Sequence, residues 1–336
     1  MADQTLNVGV AGCRFGARHI RAVLQALPDL YNLRWICDTD EDRLHSLASD
    51  LKLGDGCRLS ADYHDILEDP DVDVVSLSLP HHLHHVTAVE AAEAGKHIML
   101  DKPIARTLEE ADLIIRAAEK NGVQLMIAFN YRFDPLYRKM FDLLQEGAIG
   151  RPILANTRHY QAFNPPAGSN WRNRESVGGG CVIGSGIHNI DMMRYLLGEP
   201  EQVFAYGVTD RQRLEAEAAA VIAFRYPENL AVNFLCNWVD SGSGPSRLRC
   251  GEWELYGDRG DLTSYDGQLR IGRDFGRTEE FIGDLEGNAF ASMWRHFREC
   301  LESGEPPLTS GKEGRASLAL VLKVHEAMEK NTPIDC

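Results

Sequence analysis

Strand-like and helix-like runs alternate without a break over residues 1–128, and no other feature limits the possible folds so sharply. Leu6–Val10, Leu33–Cys37, Val72–Leu79, His97–Leu100 and Val123–Phe129 are short apolar runs that read as buried strands. Between them lie helical periods. Ile20, Val23, Leu24 and Leu27 mark one face, and Leu44, Leu47, Ala48 and Leu51 mark another. A further helix stops at Gly95, and Leu108 to Lys120 forms the next. Strands joined through helices require right-handed crossovers and a parallel sheet covered on both faces.

The first strand runs into Ala11-Gly12-Cys13-Arg14-Phe15-Gly16. A dinucleotide fingerprint places glycines where the turn is tight, where backbone meets pyrophosphate and where helix packs on strand. In one register only Gly16 matches, with small Ala11 and Cys13 in place of glycine. In the other, Gly12 is the first glycine of a loop one residue shorter. The helix N-terminus at Arg14, Phe15 and Gly16 offers amide donors to phosphate, and Arg14 adds a positive charge. Asp38 ends the second strand, at the distance where a carboxylate accepts from the adenosine ribose and repels a 2′-phosphate. Asp40, Glu41 and Asp42 deepen the negative field. The pattern predicts a Rossmann domain over residues 1–128 that binds NAD in preference to NADP.

Beyond this point the period changes. A helix over Pro135–Gln145 ends at Gly147, and strand-like runs follow at Ile153–Tyr160, Val203–Val208, Ala218–Phe224, Leu230–Val239 and Trp253–Tyr256. Helical stretches near 289–302 and 313–329 close the chain. Residues 129–336 are therefore expected to form an α+β domain on a mostly antiparallel sheet, making the chain α/β with a second domain. A length of 336 residues suits two domains.

Two segments carry further chemistry. Asp101-Lys102-Pro103 follows a strand directly, where parallel sheets place ligands. A lysine there can hold a substrate hydroxyl or stabilise a developing alkoxide, and the proline is a candidate cis residue. The glycine-rich run Gly178 to Gly186 leads into a helix in which His188 and Asp191 are neighbours on one face. A histidine beside a nicotinamide suits proton transfer at neutral pH. The cluster His81-His82-Leu83-His84-His85 does not share one helical face and lacks accompanying Cys or Asp, which argues against a metal site.

Taken together, the early turn and the stretches LEDPDVDVVSLSLPHHLHH, AAEAGKHIMLDKPIARTLEEA, FNYRFDP, GAIGRP and GGGCVIGSGIHNIDMMRYLLGEP resemble the glucose–fructose oxidoreductase/inositol dehydrogenase (Gfo/Idh/MocA) family. The resemblance implies a Rossmann domain followed by an open-faced sheet domain. It also implies hydride transfer between NAD(P) and a sugar, glycoside or cyclitol. Lys102 falls on the family's catalytic lysine, with Asp101 in place of the usual Glu, and His188 on its acid/base histidine. Pro80, His81 and His84 fall on the P-N-x-x-H stretch bordering the cofactor. Asn130 and Arg132 fall on the segment entering the sheet domain, assigned to cofactor and substrate respectively. Trp171 and Arg172 resemble positions near nicotinamide and substrate. One departure is that the family often has Asp four residues before the histidine, and here that residue is Gly184. Either Lys102 and His188 suffice, Ser185 or Asp191 compensates at the substrate, or the substrate is held differently.

The resemblance leaves two other readings open, redox-neutral glycoside cleavage through transient oxidation and a sugar- or NAD-sensing protein without turnover. It implies a homodimer or homotetramer through the open sheet. The net charge of −15 argues against a nucleic-acid partner. No run reaches membrane-spanning length, and MADQTLNVGV lacks a signal-segment pattern. The eight cysteines (13, 37, 57, 181, 236, 250, 300, 336) include no C-x-x-C pair, which suits a reducing cytoplasm.

Overall fold

The computed structural model describes residues 5–54, 56–163, 178–209, 215–239, 250–265, 267–273, 278–282 and 287–336. The chain divides into two compact units, Met1–Phe133 with Asn288–Ala316, and Asp134–Gly287 with Ser317–Cys336.

The first unit is built on β1 (Leu6–Ala11), β2 (Tyr31–Cys37), β3 (Arg58–Ser60), β4 (Val74–Leu77), β5 (His97–Leu100) and β6 (Leu125–Ile127). Their order is β3-β2-β1-β4-β5-β6, and every pair is parallel. The order reverses between β1 and β4, which opens a crevice at the carboxyl ends of those strands. All four residues of β4 are buried, as expected of a strand covered on both faces. Between the strands lie α1 (Ala17–Arg21, continued by a π turn), α2 (Glu41–Asp50), α3 (His64–Glu68), α4 (His81–Glu93) and α5 (Leu108–Asn121). The caps are local: the Asp40 side chain accepts from the Arg43 amide to start α2, and Thr107 Oγ1 accepts from Glu110 to start α5. Gly122, at φ 66°, ends α5. β3 and α3 were not anticipated, because three and five residues are too few to display a period.

Among the described residues, the second unit carries α6 (Pro135–Gln145), α7 (Ile187–Leu197) and nine strands. These are β7 (Pro152–Tyr160), β8 (Gln202–Val208), β9 (Ala219–Arg225), β10 (Ala231–Asn237), β11 (Cys250–Gly257), β12 (Gly260–Tyr265), β13 (Gln268–Arg273), β14 (Thr278–Ile282) and β15 (Ile334–Asp335). Their order is β14-β13-β12-β11-β7-β10-β9-β8-β15. Among the described residues only β10 and β7 run parallel, so the sheet is mostly antiparallel as expected. Strands alternate buried and open positions. In β9, Ala220, Ile222 and Phe224 are buried while Val221 and Arg225 are exposed. The same open face carries Tyr206, cross-strand from Val221, and Tyr256, cross-strand from Leu154.

Two helices remain, α8 (Ala289–Ser303) and α9 (Gly311–Lys330). The division at residue 128 read from the sequence placed both beyond the first domain. In the structure, residues 288–316 belong to the first unit. The reason is packing: Met293, Trp294 and Phe297 of α8 are wholly buried in one core with Val8, Ile20, Val23, Tyr31 and Leu44. Each such side chain contributes about 1.5–3 kcal/mol by leaving water. Tyr31 also donates its hydroxyl to the Trp294 carbonyl at 2.8 Å.

Candidate active site

In the first unit the turn after β1 is shaped by two glycines. Gly12 has φ +93°, and a Cβ there would lie 2.2 Å from the Ser78 carbonyl oxygen beyond β4. A Cβ on Gly16 would lie 2.2 Å from the Gly12 carbonyl and 3.0 Å from Val10 Cγ1. The turn therefore lies against the switch point, and the helix start lies against the strand, as backbone approach to a pyrophosphate requires. This fits the shorter-loop register with Gly12 first. No side chain caps α1. Ser76 and Ser78 have buried hydroxyls without a hydrogen-bond partner among the described residues.

Asp38 closes the other side of the turn. Its Oδ2 accepts from the Cys13 amide at 2.7 Å and its Oδ1 from the Asp40 amide at 3.0 Å. Arg43 Nη1 also donates to both oxygens at 3.4 Å, so a ribose hydroxyl would have to take the place of these long contacts. Burial, with Asp38 beside it, pushes the Cys13 thiol up to about 12, so Cys13 serves as a small neutral body. Arg14 is exposed, and Phe15 is half-buried under the Arg18 guanidinium, 4.5 Å from its ring centroid.

Pro80 sits at the N-cap of α4, and His81 is buried with its ring edge-on to His84 at 5.7 Å. His84 is wholly buried. Its Nδ1 lies 2.7 Å from the Pro103 carbonyl and its Nε2 2.9 Å from the Leu79 carbonyl. Burial pulls its pKa down, against Asp101 and the two carbonyls. The motif assigned His84 to the cofactor; in the structure the wholly buried ring lies between the loops after β4 and β5, and in its neutral form its one N–H donates to one of the two carbonyls. Asp101 is buried and accepts from the Lys102 amide at 2.9 Å through Oδ1. Lys102 itself is half-buried at the carboxyl end of β5, and the Lys102–Pro103 peptide is cis. Asn130 is half-buried in a 3₁₀ turn that also carries Arg132. Arg132 was read as a substrate ligand. It is buried, and its guanidinium donates to Glu313 at 3.0 Å and to the Leu308 carbonyl at 3.4 Å, which fixes the returning segment.

In the second unit, Gly178 and Gly180 have positive φ and lead into a π turn, Val182–Gly186, that continues as α7. Glu217 accepts from the Val182 amide at 2.9 Å and holds the start of that turn. Asn189 anchors α7 on β7, donating to Thr157 Oγ1 at 2.7 Å with its Oδ1 3.0 Å from His159 Nδ1. This fixes His188, which is buried save for 7% of its surface. Asp191 is wholly buried and accepts from Ser317 at 2.9 Å; Arg194 donates to the same hydroxyl. Its assignment to substrate is therefore replaced by one that holds α7 against α9. Ser185 lies between Trp238 and Gln161 and is engaged by both. Gly184 faces Trp238, where a Cβ would lie 2.6 Å from the indole. Trp238 and Gln161 escaped sequence reasoning because each is distant in sequence from Ser185. Trp171 and Arg172 lie outside the described residues. Among the described residues, no cluster of three His, Cys, Asp or Glu side chains is placed to hold a metal ion, and no helix is long and apolar enough to cross a membrane.

Comparison with known proteins finds a match for each of the two units. The model of the oxidoreductase family with an NAD-binding Rossmann fold matches residues 6–129, and that of the GFO/IDH/MocA C-terminal domain matches residues 137–263. Levoglucosan dehydrogenase of Pseudarthrobacter phenanthrenivorans is 40% identical over 143 residues, a stretch covering 42% of this chain and 37% of that enzyme. Myo-inositol 2-dehydrogenase of Thermotoga maritima is 27% identical over 342 residues, covering 98% of each. Among solved structures, levoglucosan dehydrogenase in complex with NADH and levoglucosan superposes with a TM-score of 0.85 at 24% identity, covering 99% of both chains. That likeness is one of fold.

Proposed function

The chain belongs to the Gfo/Idh/MocA family of oxidoreductases with an NAD-binding Rossmann fold, and on that premise we propose that it oxidises a CH–OH group of a small sugar, glycoside or cyclitol, or reduces the matching ketone. The observation that carries the reading is the place of Lys102. It stands at the carboxyl end of β5, next to the strand that borders the Gly12 crevice. The names of relatives, levoglucosan and myo-inositol dehydrogenases, support the substrate class.

The turn from Gly12 to Gly16 would hold the pyrophosphate of NAD, and Asp38 the adenosine ribose. NAD, when bound, supplies the two-electron acceptor. Lys102 donates to the reacting hydroxyl and lowers its pKa, and His188 takes the proton released. Asp101 holds the backbone of Lys102 through its amide, and Asn189 holds the helix of His188. The open sheet face, with exposed Tyr206, Val208, Val221 and Tyr265, is the surface through which copies would pair.

Nicotinamide absorbance, followed with a panel of sugars, glycosides and inositols, tests the reading. Lys102→Met and His188→Asn each lower kcat/KM by about 10²–10⁴-fold on a substrate the native chain turns over. A panel without any turnover, or Lys102→Met as active as the native chain, refutes it.

A further inference from the structure

A short relay in the second unit determines which way one amide side chain points. Trp238 follows β10 and donates its indole N–H to Ser185 Oγ at 2.8 Å; Ser185 Oγ stands 2.8 Å from Gln161 Oε1. An indole nitrogen only donates, so Ser185 must accept from it. The serine proton then goes to Gln161, and the atom receiving it must be the amide oxygen. The Gln161 amide nitrogen is left turned away from Ser185. Gln161 is exposed, and its Nε2 has no hydrogen-bond partner among the described residues.

The relay is held at both ends. Trp238 is only 3% exposed, and the Phe163 ring packs 4.4 Å from it. The Trp238 amide donates to the Ala218 carbonyl at 2.8 Å, and the Gln161 amide to the Asn237 carbonyl at 2.9 Å. The indole also fills the volume that a side chain at position 184 would need. A carboxylate there would require the Trp238 indole to move, and the neighbouring hydroxyl of Ser185 is committed.

We propose that Gln161 is a substrate-positioning residue, held by Ser185 and Trp238 with its N–H groups outward, and that it selects carbohydrates offering an acceptor oxygen there. An ether, carbonyl or carboxylate oxygen meets that need without a proton of its own. The proposal rests on the reading of the His188 segment as the substrate-facing part of this unit.

Gln161→Glu tests it with little change of shape. The carboxylate still accepts from Ser185, but the outward donors are gone. Calorimetric titration of the full chain with NAD⁺ present uses levoglucosan, which has an ether bridge, and myo-inositol, which offers only hydroxyls. Binding of levoglucosan weakens by about tenfold or more in Gln161→Glu. Myo-inositol, which can donate to a carboxylate, changes by less than about threefold. Where a probe is turned over, the change falls on KM rather than kcat. Trp238→Phe keeps the ring but removes the donor, so the amide can turn over and the preference between the probes shrinks. An unchanged ratio of the two affinities in Gln161→Glu overturns the proposal, as does the absence of binding by both probes to the native chain. A shifted ratio without NADH formation instead leaves the assignment of Gln161 standing and removes the dehydrogenase reading.

Discussion

His19 is wholly buried, and its Nδ1 accepts the indole proton of Trp294 at 3.1 Å, which requires a ring unprotonated at that atom. Burial lowers its pKa to about 4, with Asp101 opposing and Arg18 assisting. In the unfolded chain the ring titrates near 6.5. The folded state therefore binds fewer protons between these values, so the stabilisation is complete above pH 6.5 and is lost as pH falls towards 4. Denaturant unfolding across that window is expected to show a loss on the order of 3 kcal/mol from this ring. His19→Gln flattens the slope, and an unaltered slope in that variant excludes the assignment. At this scale the sequence was legible where function depends on local spacing. Gly12 and Gly16 lie in the turn after β1, Asp38 follows β2, and Lys102 lies just beyond β5. The sequence was not legible where a role depends on whether lone pairs and protons are already taken. His84, Arg132 and Asp191 look like ligands in a motif, yet their polar atoms are engaged by Leu79, Pro103, Glu313 and Ser317.

Among elements, the β1–α1 turn is the one whose backbone tolerates least. Gly12→Ala places a Cβ against the Ser78 carbonyl at an unfavourable φ, so the turn must move. The expected outcome is a loss of about 1–3 kcal/mol in stability, measured by denaturant unfolding, with NAD affinity at least about tenfold weaker by fluorescence titration. Retention of both would mean that the turn is not the phosphate cradle. The long strands and helices were legible because their periods run for many residues. The π turn at Val182–Gly186 was not, since a glycine-rich run has no apolar period and its geometry comes from Glu217, Phe234 and Trp238 packed around it.

For the whole molecule, the open sheet face offers a direct test of assembly. Tyr206 and Val221 are cross-strand neighbours and more than half exposed. Replacing both with Glu is expected to reduce the mass seen by light scattering to that of one chain; a native chain already at that mass removes the pairing. The return of residues 288–316 to the first unit was hidden from the sequence, because an amphipathic period announces a buried face without saying which core it enters. It also sets an order of events during synthesis. The first unit cannot close its core until Trp294 has left the ribosome, long after Phe133. At about 5–20 residues per second that wait lasts roughly ten to thirty seconds. During it Tyr31, Ile20 and Val23 lack their partner helix, and the intervening residues emerge beside an unfinished neighbour. A chaperone that shields this apolar patch would act on the nascent chain in that interval.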